Sequence, residues 1–309
     1  MHCDLGGATP GQSGIPAHTG DLRQAFTLVE LAIVLVIIGL LVGGVLTGRD
    51  LIQSARINAT VSDLQSYTAA AMTFRDKYGG IPGDLRYDKA AQAGLTISAV
   101  SPGATGEGDG DGILRDSDGV ASVCPGGTAN QFGLGGENVL FWRQLSDAGL
   151  IAFKSVADGT CLDTSSFLNN TAAEISTLKP LIPTLRLRDS GFVHTITIPS
   201  SGAGGNAPGN YYKLGQFTAG GSLTKGAIQS SPVMTTREAL GIDQKMDDGF
   251  PATGAVYSNL TGASTTPFNG GSPVTSSDTL CYDNSTTAGS YAVAIDDNLR
   301  CSLFVRAGF

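Results

Sequence analysis

The run from Phe26 to Leu46, FTLVELAIVLVIIGLLVGGVL, carries a single charged residue, Glu30, and limits what the rest of the chain can be. As a helix it rises about 1.5 Å per residue and reaches roughly 30 Å, the thickness of a bilayer's hydrocarbon core. The apolar region of a secretory signal is shorter, about 7–15 residues. A soluble helix this apolar must be buried on every side. The pattern therefore predicts a membrane span over 26–46. Residues 1–25 are rich in Gly, Pro and Ser, have no apolar run, and read as a polar leader. Arg23 and Arg49 flank the span and give only a weak orientation signal.

Beyond the span the pattern becomes one-sided. Ile57, Val61, Leu64, Thr68 and Ala71 follow helical spacing, as do Leu64, Tyr67, Ala71, Phe74 and Tyr78, with Arg56, Asp63, Arg75 and Lys77 mostly between them. This predicts one helix over 26–78, roughly 80 Å long, whose second half packs on a globular head. Gly79-Gly80 and then Pro82 stop it. Gly39, Gly43, Gly44 and Gly48 lie inside it, each costing about 1 kcal/mol against Ala. They serve either close helix packing in the membrane or a stretch that loosens when the chain leaves the bilayer.

Glu30 has two readings. A carboxylate in lipid costs about 2–3 kcal/mol or more unless it is paired, which marks it as functional; at four residues into the span it can also sit at headgroup level. The surrounding residues add to this. Gln24-Ala25-Phe26-Thr27-Leu28-Val29-Glu30-Leu31 resembles the prepilin signal of type IV pilins and type II secretion pseudopilins. The resemblance implies cleavage by a prepilin peptidase between Ala25 and Phe26, N-methylation of Phe26, and pairing of Glu30 with a neighbouring subunit's N-terminal amine. An amine and a carboxylate in lipid each lack a partner until subunits meet. The family has Gly where this chain has Ala25, and its leader is usually shorter and basic. Phe74 to Asp84, FRDKYGGIPGD, and Glu137 to Ile151 also resemble recurrent segments of pseudopilin-like proteins.

After Gly79 the chain is turn-rich. Gly is unusually common at 43 residues, and charged residues make up only 15%. Residues 103–119, GATGEGDGDGILRDSDG, put Asp109, Asp111, Asp116 and Asp118 in a Gly-rich loop. This is either a solvated acidic loop or an oxygen cage for Ca²⁺, and the spacing is not that of an EF-hand. Calcium in the head loops of some pseudopilins supports the second reading; no cofactor is otherwise required. Glu137 to Leu145 reads as a short helix stopped by Gly149, with Trp142 as a packing anchor. Thr235-Thr236-Arg237-Glu238 is a capping-box signal that opens a helix closed by Asp247-Asp248-Gly249-Phe250-Pro251. Asp243, Asp247 and Asp248 make either a solvated helix end or a second cation site. Phe192 to Ile198 reads as a strand, and residues 291–295 with 301–305 as a terminal hairpin.

Loss of the leader removes Cys3 and leaves Cys124, Cys161, Cys281 and Cys301, for which three pairings exist. Pairing the nearest neighbours gives Cys124–Cys161 and Cys281–Cys301. The second resembles the C-terminal disulfide of many pilins.

No GxSxG or GxxxxGK[ST] motif is present, and His194 is the one histidine downstream of the leader, so enzymatic activity is not expected. The net charge of −8 disfavours a nucleic-acid partner. The expected fold is α+β: a long N-terminal helix packed on a loop-rich antiparallel sheet. The expected domains are the leader at 1–25, the helix at 26–78 and an extracytoplasmic head at 79–309. The resemblance implies a structural subunit, minor or at the tip, of a type II secretion pseudopilus or type IV pilus. The alternative is an adhesin-like or DNA-uptake minor pilin whose head loops bind an external partner. Implied partners are other pilin or pseudopilin subunits, prepilin peptidase and an inner-membrane assembly platform. The implied location is the bacterial inner membrane in a single pass, with the head in the periplasm or on an extracellular filament.

Overall fold

The computed structural model describes residues 27–99, 103, 108–115, 134–160, 172–198, 208–218, 229–258, 281–283, 290–291 and 298–309. Two units divide the chain at Asp50. In the first, helix α1 (Leu28–Tyr78) begins, and its apolar side chains are bare in the single chain: Leu28 is 90% exposed and Leu40 78%. That much apolar surface is unstable in water and calls for lipid or neighbouring helices. The mean hydropathy of its most apolar stretch is 2.8, enough to cross a membrane by length and composition. Gly39, Gly43, Gly44 and Gly48 all face open space.

In the second unit α1 continues from Leu51. Ile57, Thr60, Val61, Leu64, Ala71 and Phe74 form the buried stripe that the 3.6-residue spacing predicts. Gly79 ends the helix at φ +74°, a left-handed conformation that favours glycine, and its N–H caps the Arg75 carbonyl at 2.8 Å. The helices α2 (Tyr87–Gln92), α3 (Gly136–Asp147), α4 (Ala172–Leu178) and α5 (Thr236–Met246) follow. The capping box of α5 forms: Thr235 Oγ1 accepts from Glu238 N–H, and the Glu238 carboxylate accepts from Thr235 N–H at 2.8 Å.

The strands are β1 (Thr184–Leu185), β2 (Arg188–Ile198), β3 (Gly209–Thr218), β4 (Gln229–Ser231), β5 (Val256–Ser258), β6 (Tyr282–Asp283), β7 (Ser290–Tyr291) and β8 (Leu303–Arg306). The main sheet is antiparallel, in the order β1-β2-β3-β8-β5, with β4 added to β3. The fold is thus α+β and pilin-like, a long N-terminal helix packed against an antiparallel sheet. The terminal hairpin read from the sequence does not form as such. Leu303–Arg306 inserts between β3 and β5, while Tyr291 pairs with Tyr282. The reason is burial: Leu303, Phe304 and Val305 are buried on both faces, which suits an interior strand rather than one arm of an exposed hairpin.

The core joins helix to sheet through aromatic rings. Trp142 on α3 lies 5.0 Å from Tyr67 of α1, 4.9 Å from Phe141 and 6.1 Å from Tyr212 of β3, centroid to centroid. Phe309 stacks on Phe141 at 5.3 Å. Cys281 and Cys301 are joined by a buried disulfide, which ties the start of β6 to the approach to β8. Cys124 and Cys161 lie outside the described residues.

Candidate functional site

Helix α1 opens on a reciprocal cap. Glu30 N–H donates to Thr27 Oγ1 at 3.2 Å, and the Glu30 carboxylate accepts from Thr27 N–H at 2.8 Å and from Thr27 Oγ1 at 2.9 Å. Both Thr27 donors reach the same oxygen, Oε2. Among the described residues no donor reaches Oε1, so half of the carboxylate remains available. This corrects one expectation: in the single chain Glu30 is not without a partner, because the T-x-x-E spacing lets it cap its own helix. Thr27 was the residue missed. Its signal, Thr followed by Glu three positions later before an apolar run, was present in the sequence. A carboxylate in the first turn also complements the positive end of the helix dipole. The geometry can accept one cationic hydrogen-bond donor at Oε1, in an apolar setting where such a bond is strong. Ala25 and Phe26 lie outside the described residues.

Residues 22–46 match the family model for the prokaryotic N-terminal methylation motif. This chain carries a prepilin-type signal. That signal is typical of type IV pilins and pseudopilins and implies a subunit of that kind, processed by prepilin peptidase and assembled with pilins. Pilin-like chains are generally structural rather than enzymatic. The exposed apolar helix of this prepilin-type chain is consistent with an inner-membrane anchor. No curated protein and no solved structure matches the chain.

In the head, the acidic loop is organised around residues from two other segments. Asp109 meets Asp84, from the turn after α1, and Glu137, from the first turn of α3; their carboxylate oxygens lie within 4.8 Å of one another. Gly110, Asp111 and Gly112 donate N–H groups to Asp84, while Gly108 and Arg115 donate to Glu137. Asp111 points elsewhere, into an ion pair with Arg115. Asp116 and Asp118 lie outside the described residues. The three converging carboxylates are hard oxygen donors of the kind Ca²⁺ uses, though fewer than its usual six to eight ligands. Gly83 makes the packing possible: at φ +86°, a Cβ there would lie 2.3 Å from the Glu137 carbonyl oxygen.

Burial drives the protonation of these groups. It pushes Asp84 up to about 7, against the opposing N–H groups of Gly112 and Gly110. It raises Glu137 well above the usual carboxylate range, with the Asp84 charge adding to the effect. Burial also lifts Asp243 to about 7 against the Tyr291 hydroxyl and Gly249 N–H, and lowers Lys213 to about 7. The signs give a stability profile. Asp84 and Asp243 hold protons in the fold that the unfolded chain has lost, so their contribution is full below about pH 4 and is lost as pH rises to about 7. Lys213 has the opposite sign: its folded form is neutral from about pH 7 while the unfolded lysine stays charged to about 10.4, so its own contribution rises with pH as that of Glu137 falls. We expect the chelator-treated chain in detergent to melt at a lower temperature at pH 7 than at pH 5. If Asp84, Asp109 and Glu137 hold Ca²⁺, millimolar calcium lifts the pH 7 value; if protons alone hold them, calcium leaves it unchanged.

Proposed function

We propose that this chain is a minor or tip subunit of a type II secretion pseudopilus or type IV pilus. It enters the inner membrane through residues 26–46, with the head outside the cytoplasm. Prepilin peptidase cuts between Ala25 and Phe26, and the new Phe26 amine is methylated. Oε1 of Glu30 then takes the N-terminal amine of a neighbouring subunit as the chain leaves the assembly platform. The observation that carries this reading is the half-satisfied carboxylate of Glu30, at the start of a bare apolar helix inside a prepilin-type signal. The size of the head favours a minor or tip place, because large heads pack poorly along a long helical filament.

A second reading, a minor pilin that binds an external partner, is supported by a cleft of about 490 Å³ lined by Tyr67, Leu150, Phe153, Lys179 and Arg186. The net charge of −8 argues against DNA as that partner. A deletion strain separates the readings. Loss of secreted enzymes with attachment intact supports the pseudopilus. Loss of attachment, twitching or transformation with secretion intact supports the pilus. A strain unaffected in all of these contradicts both.

A further inference from the structure

Residues 151–160 carry the burial pattern of a strand outside the main sheet. Ile151, Ser155, Ala157 and Gly159 are buried and Phe153 is half-buried, while Ala152, Lys154, Val156 and Asp158 between them are exposed. That alternation belongs to an extended chain with one face on the core. From Val156 onward the main chain is held. Val156 N–H donates to the Pro180 carbonyl at 2.9 Å, and the Asp158 and Gly159 carbonyls accept from Ala99 and Gly136 N–H. Before Val156 the ladder stops. No main-chain group of Ile151, Ala152, Phe153 or Lys154 has a hydrogen bond among the described residues. Such a row of free donors and acceptors is an edge that can pair with another strand.

This edge borders the cleft of about 490 Å³. The segment touches the approach to β1 where Val156 N–H meets Pro180 and Ser155 Oγ donates to the Leu181 carbonyl at 2.8 Å. Beyond those contacts the two segments part around the cleft. Residues 150–153 line it from one, and Pro183, Thr184 and Arg186 from the other, over Tyr67 of α1. Thr184 belongs to β1, the last strand on its side of the main sheet, so that strand's outer edge is also unpaired among the described residues. An extended peptide suits this arrangement, because it pairs along its backbone and sets alternate side chains against Leu150, Phe153 and Tyr67. Charge narrows the class. Arg186 pairs with Asp63 at 2.8 Å, and Lys179 reaches exposed Asp189 only at 3.7 Å. Exposed Lys154 has no acidic partner among the described residues. In a chain of net charge −8 this border is locally positive.

We propose that this cleft takes an extended, acidic segment of a different protein by strand addition along residues 151–154, with carboxylates at alternate positions meeting Lys154 and Lys179. The inference deepens the external-partner reading of the cleft and rests on it: it names the partner's chemistry and the way it is held. Main-chain bonds supply the affinity, and the apolar wall with its cationic border supplies the selectivity.

Amide hydrogen exchange on the full-length chain in detergent tests this. The probes are peptides of about eight residues, a common strand length, that alternate valine with aspartate or valine with lysine. In the free chain the amides of residues 151–154 exchange fast. The valine–aspartate peptide slows them roughly tenfold, and the valine–lysine peptide does not. Methylating the backbone nitrogens of the acidic peptide keeps its side chains and abolishes the protection. Lys154→Glu with Lys179→Glu reverses the preference in favour of the valine–lysine peptide, which a variant that merely misfolds does not do. Amides already protected in the free chain, no slowing by millimolar acidic peptide, or equal slowing by both peptides overturns the acidic strand. Ala152→Arg, an exposed position on the cleft wall, tests the reading beneath it in cells. Attachment lost with assembly intact supports a partner in this cleft, even where the peptide result has overturned the acidic strand. Undiminished attachment overturns the external-partner reading and the strand addition with it.

Discussion

Replacing Glu30 by Leu leaves the chain in the membrane and removes it from filaments. Insertion does not suffer, because the substitution takes away the one charge of the 26–46 span and its cost in lipid. Assembly does suffer. The neighbouring amine then enters an apolar environment with no carboxylate to meet it, and breaking one side of a buried ion pair costs about 3–5 kcal/mol. That corresponds to a factor of roughly 100 or more in association. The intrahelical cap complicates a simple reading, because Glu30→Leu also removes the bonds to Thr27. Glu30→Gln separates the two effects: it retains a carbonyl that accepts from Thr27 N–H but carries no charge. If the charge is what matters, Gln fails nearly as badly as Leu. Filament yield, measured against membrane yield by immunoblot of sheared and cell-bound fractions, gives the result. Wild-type filament yield from Glu30→Leu contradicts the assembly role.

The second large effect lies in the head. Trp142 is fully buried between the Tyr67 edge of α1 and Tyr212 of the sheet. Trp142→Ala empties the centre of that aromatic cluster, and truncations of this size cost about 3–5 kcal/mol. A domain of this size is stable by only about 5–15 kcal/mol. The melting temperature should fall by roughly 6–20 °C, followed by far-UV circular dichroism in detergent. Val156→Ala, on a side chain 59% exposed, serves as the control and should change stability by less than about 0.5 kcal/mol. Comparable melting of both variants excludes Trp142 as the keystone between helix and sheet.

These two residues mark what the sequence could and could not reveal. The long helix was legible because its signals are local: an unbroken apolar run, then a stripe at helical spacing, then Gly79. The α5 cap was legible for the same reason, since Thr235 and Glu238 lie within one turn. Thr27 carries the same spacing to Glu30, and its cap is local in the same way. The acidic elbow in the head was not readable in this way. Asp84 belongs to a turn and Glu137 to a helix start far along the chain, and only the packed fold brings them to Asp109. The pairing of β8 is equally non-local: Tyr212 opposite Val305 and Val256 opposite Val305 link segments that nothing in sequence order joins. Sequence proximity suggested a hairpin, and burial of Leu303 to Val305 placed the strand in the interior instead.

Maturation decides the assembly role, since Glu30 has a filament partner only if a neighbouring chain begins at a free amine beside it. Top-down mass spectrometry of the chain purified from membranes measures this directly. The expected chain starts at Phe26 and carries one added methyl group on its amine. A chain that retains Ala25 and the residues before it contradicts the account, and leaves residues 26–46 as an ordinary membrane anchor.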